Sequence, residues 1–206
     1  GQGLAYRLAA AGQRVLVGSR DAARAKAAAE EVNALLAGAG TAVTGDDNAA
    51  VAAGADLVIV AVPWDGHDAT LTALRGALAG KIVVDCVNPL GFDQHGPFTL
   101  AVPEGSAAQH AAAMLPDSLV TAAFHHVSAA LLADPTVAAV ETDVLVLGDD
   151  RDATDVVRAL AARITGMRGI YAGRLRNAHQ VEGLTANLIA INRRYKAHAG
   201  IRITDV

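Results

Sequence analysis

Cysteine, aromatic residues and long apolar runs are all scarce in this sequence. The one cysteine, Cys86, cannot form a disulfide within the chain, so a reducing, cytoplasmic location is expected. Aromatic residues make up 3% of the chain and the net charge is −4, so no nucleic-acid partner is expected. The apolar run at residues 57–63 is among the longest and falls well short of the roughly 18 residues of a membrane-spanning helix, so no membrane partner is expected either.

The remaining composition is that of a folded domain. The chain has 206 residues, of which 52% are hydrophobic and 18% charged. Chains of this length and hydrophobicity bury a sizeable core and form one domain, or one domain with a small appendage.

Apolar strands and alanine-rich helices alternate along the chain. We expect helices at residues 1–12, 21–37, 47–53, 67–79, 107–114, 153–163 and 177–196. We expect strands at residues 14–18, 42–44, 57–62, 81–87, 119–124, 143–147 and 169–172, and a long loop at residues 90–105. The alternation predicts an α/β protein with a Rossmann-type, doubly wound parallel sheet at residues 1–148 and a small C-terminal α/β part at residues 149–206.

The chain starts within a helical pattern that carries Gly1 and Gly3. In open α/β sheets, glycines at the start of the first helix let the backbone approach a phosphate. Close helix packing is an equally good explanation of two glycines. Because no strand pattern precedes this helix, we expect that a first strand and most of a glycine loop are absent from the sequence.

The strand expected at residues 14–18 ends with Gly18 and is followed by Ser19 and Arg20. An NAD-binding protein usually has an acidic residue here for the ribose hydroxyls, whereas a serine and an arginine suit the extra phosphate of NADP. Arg24 follows one helical turn later and can reach the same phosphate. NADP is therefore expected rather than NAD, although arginines at a solvated helix start are the alternative.

Three further segments follow apolar strands and are expected to meet at one crevice. The first contains Val62, Pro63 and Trp64, the second contains Asn88 and Pro89, and the third contains His125. Trp64 is a candidate wall of a nicotinamide pocket or a plain surface anchor. Pro89 either fixes the backbone near a cofactor or simply ends a strand.

Several runs of the chain, taken in order, resemble one family of enzymes. They are GQGLAYRLA at 1–9, VGSR at 17–20, VAVPW at 60–64, KIVVD with NPL at 81–90, TAAFH at 121–125, GDD at 148–150 and VEGLT at 181–185. This order is similar to that of the NADP-dependent reductases of the deazaflavin coenzyme F420, without that family's first strand and leading glycines.

The resemblance implies a Rossmann fold and hydride transfer between NADP(H) and F420. It implies that Ser19, Arg20 and Arg24 hold the 2′-phosphate and that His125 and Val127 lie against the deazaflavin. His125 is then the candidate catalytic residue, because a histidine can donate a hydrogen bond to a deazaflavin carbonyl. From Arg151 onward the chain carries ten lysines and arginines against four acids, which suits an anionic ligand such as F420.

Other functions stay open at this point. The first alternative is a Rossmann reductase of a small imine or hydroxyacid, and the second is a dinucleotide sensor without turnover. The seven histidines show no metal-ligand spacing, so no metal is expected. The apolar face of the last helix packs either on its own sheet or in a homodimer.

Overall fold

The computed structural model describes residues 1–206. Its helices are α1 (Gln2–Ala10), α2 (Ala22–Leu36), α3 (Asn48–Ala53), α4 (His67–Leu78), α5 (Ala107–Met114), α6 (Ala129–Ala133), α7 (Arg151–Ala161) and α8 (Ala178–Tyr195). Its strands are β1 (Leu16–Ser19), β2 (Thr44–Asp47), β3 (Leu57–Val60), β4 (Ile82–Asp85), β5 (Leu90–Asp93), β6 (Gly96–Thr99), β7 (Leu119–Ala122), β8 (Thr142–Gly148) and β9 (Met167–Tyr171).

Aspartates at their N-caps fix where three of the helices begin. The carboxylates of Asp21, Asp47 and Asp150 accept hydrogen bonds from backbone N–H groups in the first turns of α2, α3 and α7. Strand β2 begins two residues later than expected because the side-chain amide of Asn33 binds both backbone groups of Val43.

The main sheet has the strand order β3-β4-β7-β8-β9. Strands β3, β4 and β7 are parallel, and Val60, Asp85 and Ala122 lie side by side in their registers. Strand β8 runs antiparallel to β7, which departs from the all-parallel sheet that the sequence predicted. The connection between them contains only the five-residue helix α6, and the chain enters β8 without a longer crossover helix.

Helices cover both faces of this sheet. On β4, Val83 packs into a core that contains Leu71 and Leu115, whereas Val84 packs into a second core that contains Val157 and Ile164. The adjacent residues point to opposite faces, as in any strand. The boundary expected near Gly148 coincides with the end of β8, but β9 pairs with β8, so the C-terminal part extends the same sheet.

Two differences from the expected pattern have local causes. The expected loop at residues 90–105 contains an antiparallel hairpin of β5 and β6. Gly96, with a φ of 115°, makes its turn, and Pro97 hides the strand pattern in the sequence. Strand β3 is only partly buried at Leu57, Val58 and Ile59, although its continuous apolar sequence is typical of a strand buried on both faces.

The reason for the exposure of β3 is an opening in the sheet. Strands β1 and β2 form a separate pair, and β3 is the edge of the five-stranded sheet. A mostly apolar cavity of about 670 Å³, lined by Val17, Leu57 and Ile59 among others, lies between them. That a further strand precedes α1 remains a prediction.

None of the helices combines the length and the apolar character that crossing a membrane would require.

Candidate active site

The carboxyl ends of three parallel strands place the expected crevice segments at one edge of the sheet. Because Val60, Asp85 and Ala122 are in register, residues 61–64, 86–89 and 123–125 all leave the sheet at this edge. The amide Nδ2 of Asn88 donates a hydrogen bond of 3.0 Å to the backbone oxygen of His125. The structure therefore brings two of the three segments into direct contact.

His125 is the most unusual group at this edge. Its side chain is buried, and neither ring nitrogen has a hydrogen-bond partner. Burial lowers the pKa of His125 to about 4, so the imidazole is neutral at physiological pH. The preceding residue, Phe124, has a φ of 65°, a left-handed conformation that costs a bulky residue about 1–3 kcal/mol and occurs mostly at functional sites.

A threonine that sequence reasoning did not single out also holds His125. The hydroxyl of Thr185, on α8, donates a hydrogen bond of 3.1 Å to the backbone oxygen of His125. Helix α8 thus fixes the His125 backbone together with Asn88. The only signal in the sequence was the run VEGLT at residues 181–185.

His126 is buried against the start of β8. Its Nε2 lies 2.7 Å from the backbone oxygen of Asp143, and burial lowers its pKa. Both histidines lie beyond the end of β7 and after the left-handed Phe124, so the alternation of a strand does not set their directions. Val127, the next residue, is partly buried against the core that contains Val84.

Asp143 anchors the C-terminal tail beside His126. The Nε of Arg168 donates to its carboxylate at 2.8 Å, and the Nη1 of Arg202 donates at 2.8 Å. Hydrogen bonds from Arg168 hold the pKa of Asp143 well below its usual range. The backbone N–H of Ile203 binds the same carboxylate, so the tail is fixed beneath the crevice.

The candidate phosphate-binding residues lie at the end of β1 and the start of α2. Arg20 and Arg24 are exposed, and Ser19 is partly buried. Ser19 lies opposite Asp47 of β2. The Asp47 carboxylate caps α3 through the backbone N–H of Ala50, and Arg20 and Arg24 place positive charge beside it.

The two N-terminal glycines behave differently. A Cβ on Gly3 would approach the Cβ of Leu132 to 2.7 Å, so Gly3 is needed for packing of α1 on α6. The guanidinium of Arg7 reinforces this contact by donating to the backbone oxygens of Leu131 and Leu132. A Cβ on Gly1 would meet only the Cβ of Ala61, at 3.8 Å. Gly1 therefore lies next to the segment that follows β3, with space for a ligand.

The remaining predicted site residues differ in exposure. Pro63 is exposed, Val62 and Trp64 are partly buried, and Pro89 is buried. The Trp64 ring packs 5.3 Å from the ring of His67 and edge-on to His110 at 6.1 Å, so it is not a lone surface anchor. Burial raises the pKa of the nearby Cys86 thiol to about 12, as expected of an unreactive cysteine.

Two buried carboxylates at this edge were not singled out from the sequence. Asp85, at the end of β4, is fully buried and lies 2.6 Å from Nε2 of the fully buried His67. Glu182 of α8 accepts hydrogen bonds from the backbone N–H groups of Ala107 and Ala108 at the start of α5. Burial raises the pKa of Glu182 to about 7.

The fold and the site together define the class of protein. An α/β sheet with covered faces, a glycine at the start of its first helix, free arginines after β1 and a crevice at the carboxyl edge are typical of Rossmann-type dinucleotide-binding oxidoreductases. The family is given by sequence comparison. The family model "NADP oxidoreductase coenzyme F420-dependent" matches residues 1–89.

Relatives extend the match to the whole chain. An F420-dependent NADP reductase of Methanothermobacter marburgensis is 39% identical over 211 residues, covering 100% of this chain and 94% of the relative. The F420-dependent NADP reductase of Methanocaldococcus jannaschii is 36% identical, with the same coverage. The chain belongs to this family of coenzyme F420-dependent NADP oxidoreductases.

A solved structure agrees with this assignment. A protein of Arthrobacter sp. FB24, provisionally assigned as an F420-dependent NADP reductase, superimposes with a TM-score of 0.81 at 31% identity. The superposition covers 98% of this chain and 94% of that protein. The expected family and the expected Rossmann-type fold are both confirmed.

Proposed function

We propose that this chain transfers a hydride between NADP(H) and coenzyme F420, with both small molecules as substrates. The single structural observation that carries the proposal is the buried His125, whose two ring nitrogens have no partner, at the carboxyl edge of the sheet. It stands in a chain whose relatives are named F420-dependent NADP reductases along its whole length.

The residues present fit NADP at one end of the crevice. Arg20 and Arg24 offer planar, permanently charged donors to a 2′-phosphate, and Ser19 adds a hydroxyl. No acidic residue occupies the position after β1 where a ribose 2′-hydroxyl would be recognised in an NAD enzyme. Gly1 leaves room for the backbone of α1 to approach a phosphate.

The residues at the other end fit a deazaflavin. A buried, neutral imidazole without partners is unfavourable unless a ligand satisfies it, and a deazaflavin carbonyl accepts the hydrogen bond that this imidazole can donate. Val127 lies two residues on, and Val62, Pro63, Trp64, Asn88 and Pro89 form the walls between the two ends. NADP(H) and F420 supply the hydride donor and acceptor carbons when both are bound.

The role of the protein is then to position the two bound rings and to exclude water. Hydride transfer between two held rings needs no obligatory acid or base, so orientation accounts for most of the catalysis. Asn88 and Thr185 hold the backbone of His125, which fixes the main chain that carries its ring. His125 is a hydrogen-bond donor that positions the deazaflavin and does not shuttle a proton.

Mixing the protein with reduced F420 and NADP⁺ tests the proposal. The expected result is catalytic return of the deazaflavin absorbance, stoichiometric with the formation of NADPH. Turnover of NADPH by small imines or hydroxyacids without any F420 reaction would favour the alternative reductase. Tight NADPH binding without turnover of either would favour a sensor.

We propose further that the chain acts as a homodimer in the cytoplasm. Ile191 and Tyr195 at the end of α8 are 40% and 74% exposed, and Phe98 on the adjacent strand β6 is 45% exposed. Val181 and Leu188 on the same helix are buried within the chain, so the exposed large apolar residues of α8 lie at its C-terminal end. Sedimentation equilibrium of the wild type and of Tyr195→Glu tests the dimer.

A further inference from the structure

A group of metal-ligating side chains lies beside the crevice and has no part in the proposed hydride transfer. His67 and Asp68 start helix α4, and His110 reaches the same place from α5. One ring nitrogen of each histidine and a carboxylate oxygen of Asp68 all lie within 4.8 Å of one another. The histidines are 43 residues apart, so their sequence spacing gave no signal.

His67 presents one nitrogen that the protein leaves without a partner. Its Nε2 lies 2.6 Å from Oδ2 of Asp85, and both side chains are fully buried. The backbone N–H of Val87 holds the other carboxylate oxygen of Asp85 at 3.0 Å. With Nε2 facing this fixed carboxylate, Nδ1 is the nitrogen left for a ligand, and it is buried and without a hydrogen bond.

His110 also lies between two carboxylates, but its cluster-facing nitrogen already makes a hydrogen bond to Asp68. Its Nδ1 lies 3.0 Å from Oε2 of Glu104, although the angle is not that of a hydrogen bond. Its Nε2 faces Oδ1 of Asp68 at 2.9 Å. Each histidine therefore has one nitrogen beside a carboxylate and the other directed towards the cluster.

This pattern is typical of metal sites. A histidine that binds a metal usually gives its second nitrogen to a carboxylate, which fixes the tautomer and the ring orientation. Two imidazoles and one carboxylate suit Zn²⁺, Co²⁺ or Ni²⁺, whereas Mg²⁺ and Ca²⁺ prefer oxygen ligands alone. The Asp68 side chain is 68% exposed, so the cluster is open to an ion from solvent.

We propose that Nδ1 of His67, Nε2 of His110 and the carboxylate of Asp68 bind a divalent transition-metal ion of the Zn²⁺ class. Asp85 and Glu104 orient the two imidazoles, and the ring of Trp64 packs against both histidines. Water completes the coordination. The ion links α4 to α5 over the end of β4, and this departs from the expectation of no metal that rested on sequence spacing alone.

The test is titration of CoCl₂ into chelator-treated protein that carries no histidine tag. Four-coordinate Co²⁺ bound to nitrogen and oxygen ligands gives visible absorption bands, and ZnCl₂ should displace it in a one-to-one ratio. His110→Gln and Asp68→Asn should each weaken Co²⁺ binding at least about tenfold, and Glu104→Gln should weaken it by about ten- to a hundredfold. His179→Gln and Asp65→Asn remove exposed residues outside the cluster and serve as matched controls.

Absence of stoichiometric Co²⁺ binding would overturn the proposal. So would binding that survives His110→Gln and Asp68→Asn, or that the two controls reduce equally. The affected side chains are partly or largely exposed, so the variants should fold, and circular dichroism verifies this. Because the readout is metal binding, its failure is distinct from a failure of hydride transfer.

Discussion

Replacing Arg20 by alanine should separate the two nicotinamide cofactors. Arg20 follows the last residue of β1 and is exposed, and it points to no carboxylate that would satisfy it within the chain. The phosphate of NADP is then its natural partner. A hydrogen bond to a charged group is worth about 1.5–3 kcal/mol, which corresponds to roughly a ten- to hundredfold change in Kd.

The surroundings of Arg20 set where in this range the effect should fall. Solvent screens an exposed contact, which lowers the loss. Asp46 and Asp47 on β2 lie opposite Gly18 and Ser19, and without Arg20 a bound phosphate would face these acids with less compensation. We therefore expect a loss of about thirtyfold in NADPH affinity and less than about threefold in NADH affinity.

Isothermal titration of both cofactors against the wild type, Arg20→Ala and Arg24→Ala measures these losses. Arg75→Ala is the matched control, because Arg75 is an exposed arginine in the last turn of α4, away from β1. Raising the salt concentration should reduce the difference between the wild type and Arg20→Ala. Equal losses for NADPH and NADH would refute the assignment of the phosphate site.

The remaining predictions concern His125, Asp143 and Glu182. His125→Gln keeps a hydrogen-bond donor and should retain most of the hydride-transfer rate. In steady-state kinetics, His125→Ala should slow transfer by about ten- to a hundredfold and raise the KM for F420, and it should leave the affinity for NADPH unchanged. The pKa of Asp143 is lowered, so its stabilising effect is present above the usual aspartate pKa and is lost as pH falls below about 4. In urea unfolding, Asp143→Asn should therefore lower the free energy of unfolding by about 2 kcal/mol at pH 7, and by less in acid. The pKa of Glu182 is raised to about 7, so its contribution to stability is present below the usual glutamate pKa and is lost as pH rises through 7. Because the lowered pKa of His125 acts in the opposite direction, the effect is read as a difference: the stability of the wild type relative to Glu182→Gln should fall by roughly 2 kcal/mol between pH 5 and pH 8.

Local signals in the sequence predicted most of the helices and strands. Aspartates at N-caps and apolar runs such as residues 57–62 act within a few residues, so they can be read without the fold. The direction of β8 could not be predicted, because it depends on the path of a connection that has no regular period. The hairpin of β5 and β6 was missed because its glycines and Pro97 resemble those of a loop.

The candidate site, like the fold, was predictable from the sequence only in part. Pro63, Asn88 and His125 each follow a parallel strand, so their common edge was predictable from the rule for open α/β sheets. The environment of His125 was not predictable, since its burial and the contact with Thr185 depend on how α8 packs. The contact between His67 at the start of α4 and Asp85 at the end of β4 could not be predicted, because no sequence periodicity indicates it.

Direct hydride transfer between the two cofactors is the central claim. NADPH carrying deuterium at the transferred position of its nicotinamide is mixed with F420 and the protein in ordinary water, and reduced F420 is analysed by mass spectrometry. The proposed function predicts that the deuterium arrives on the deazaflavin carbon without dilution by solvent hydrogen. Reduced F420 that contains only solvent hydrogen, or no reduction of F420 at all, would contradict it.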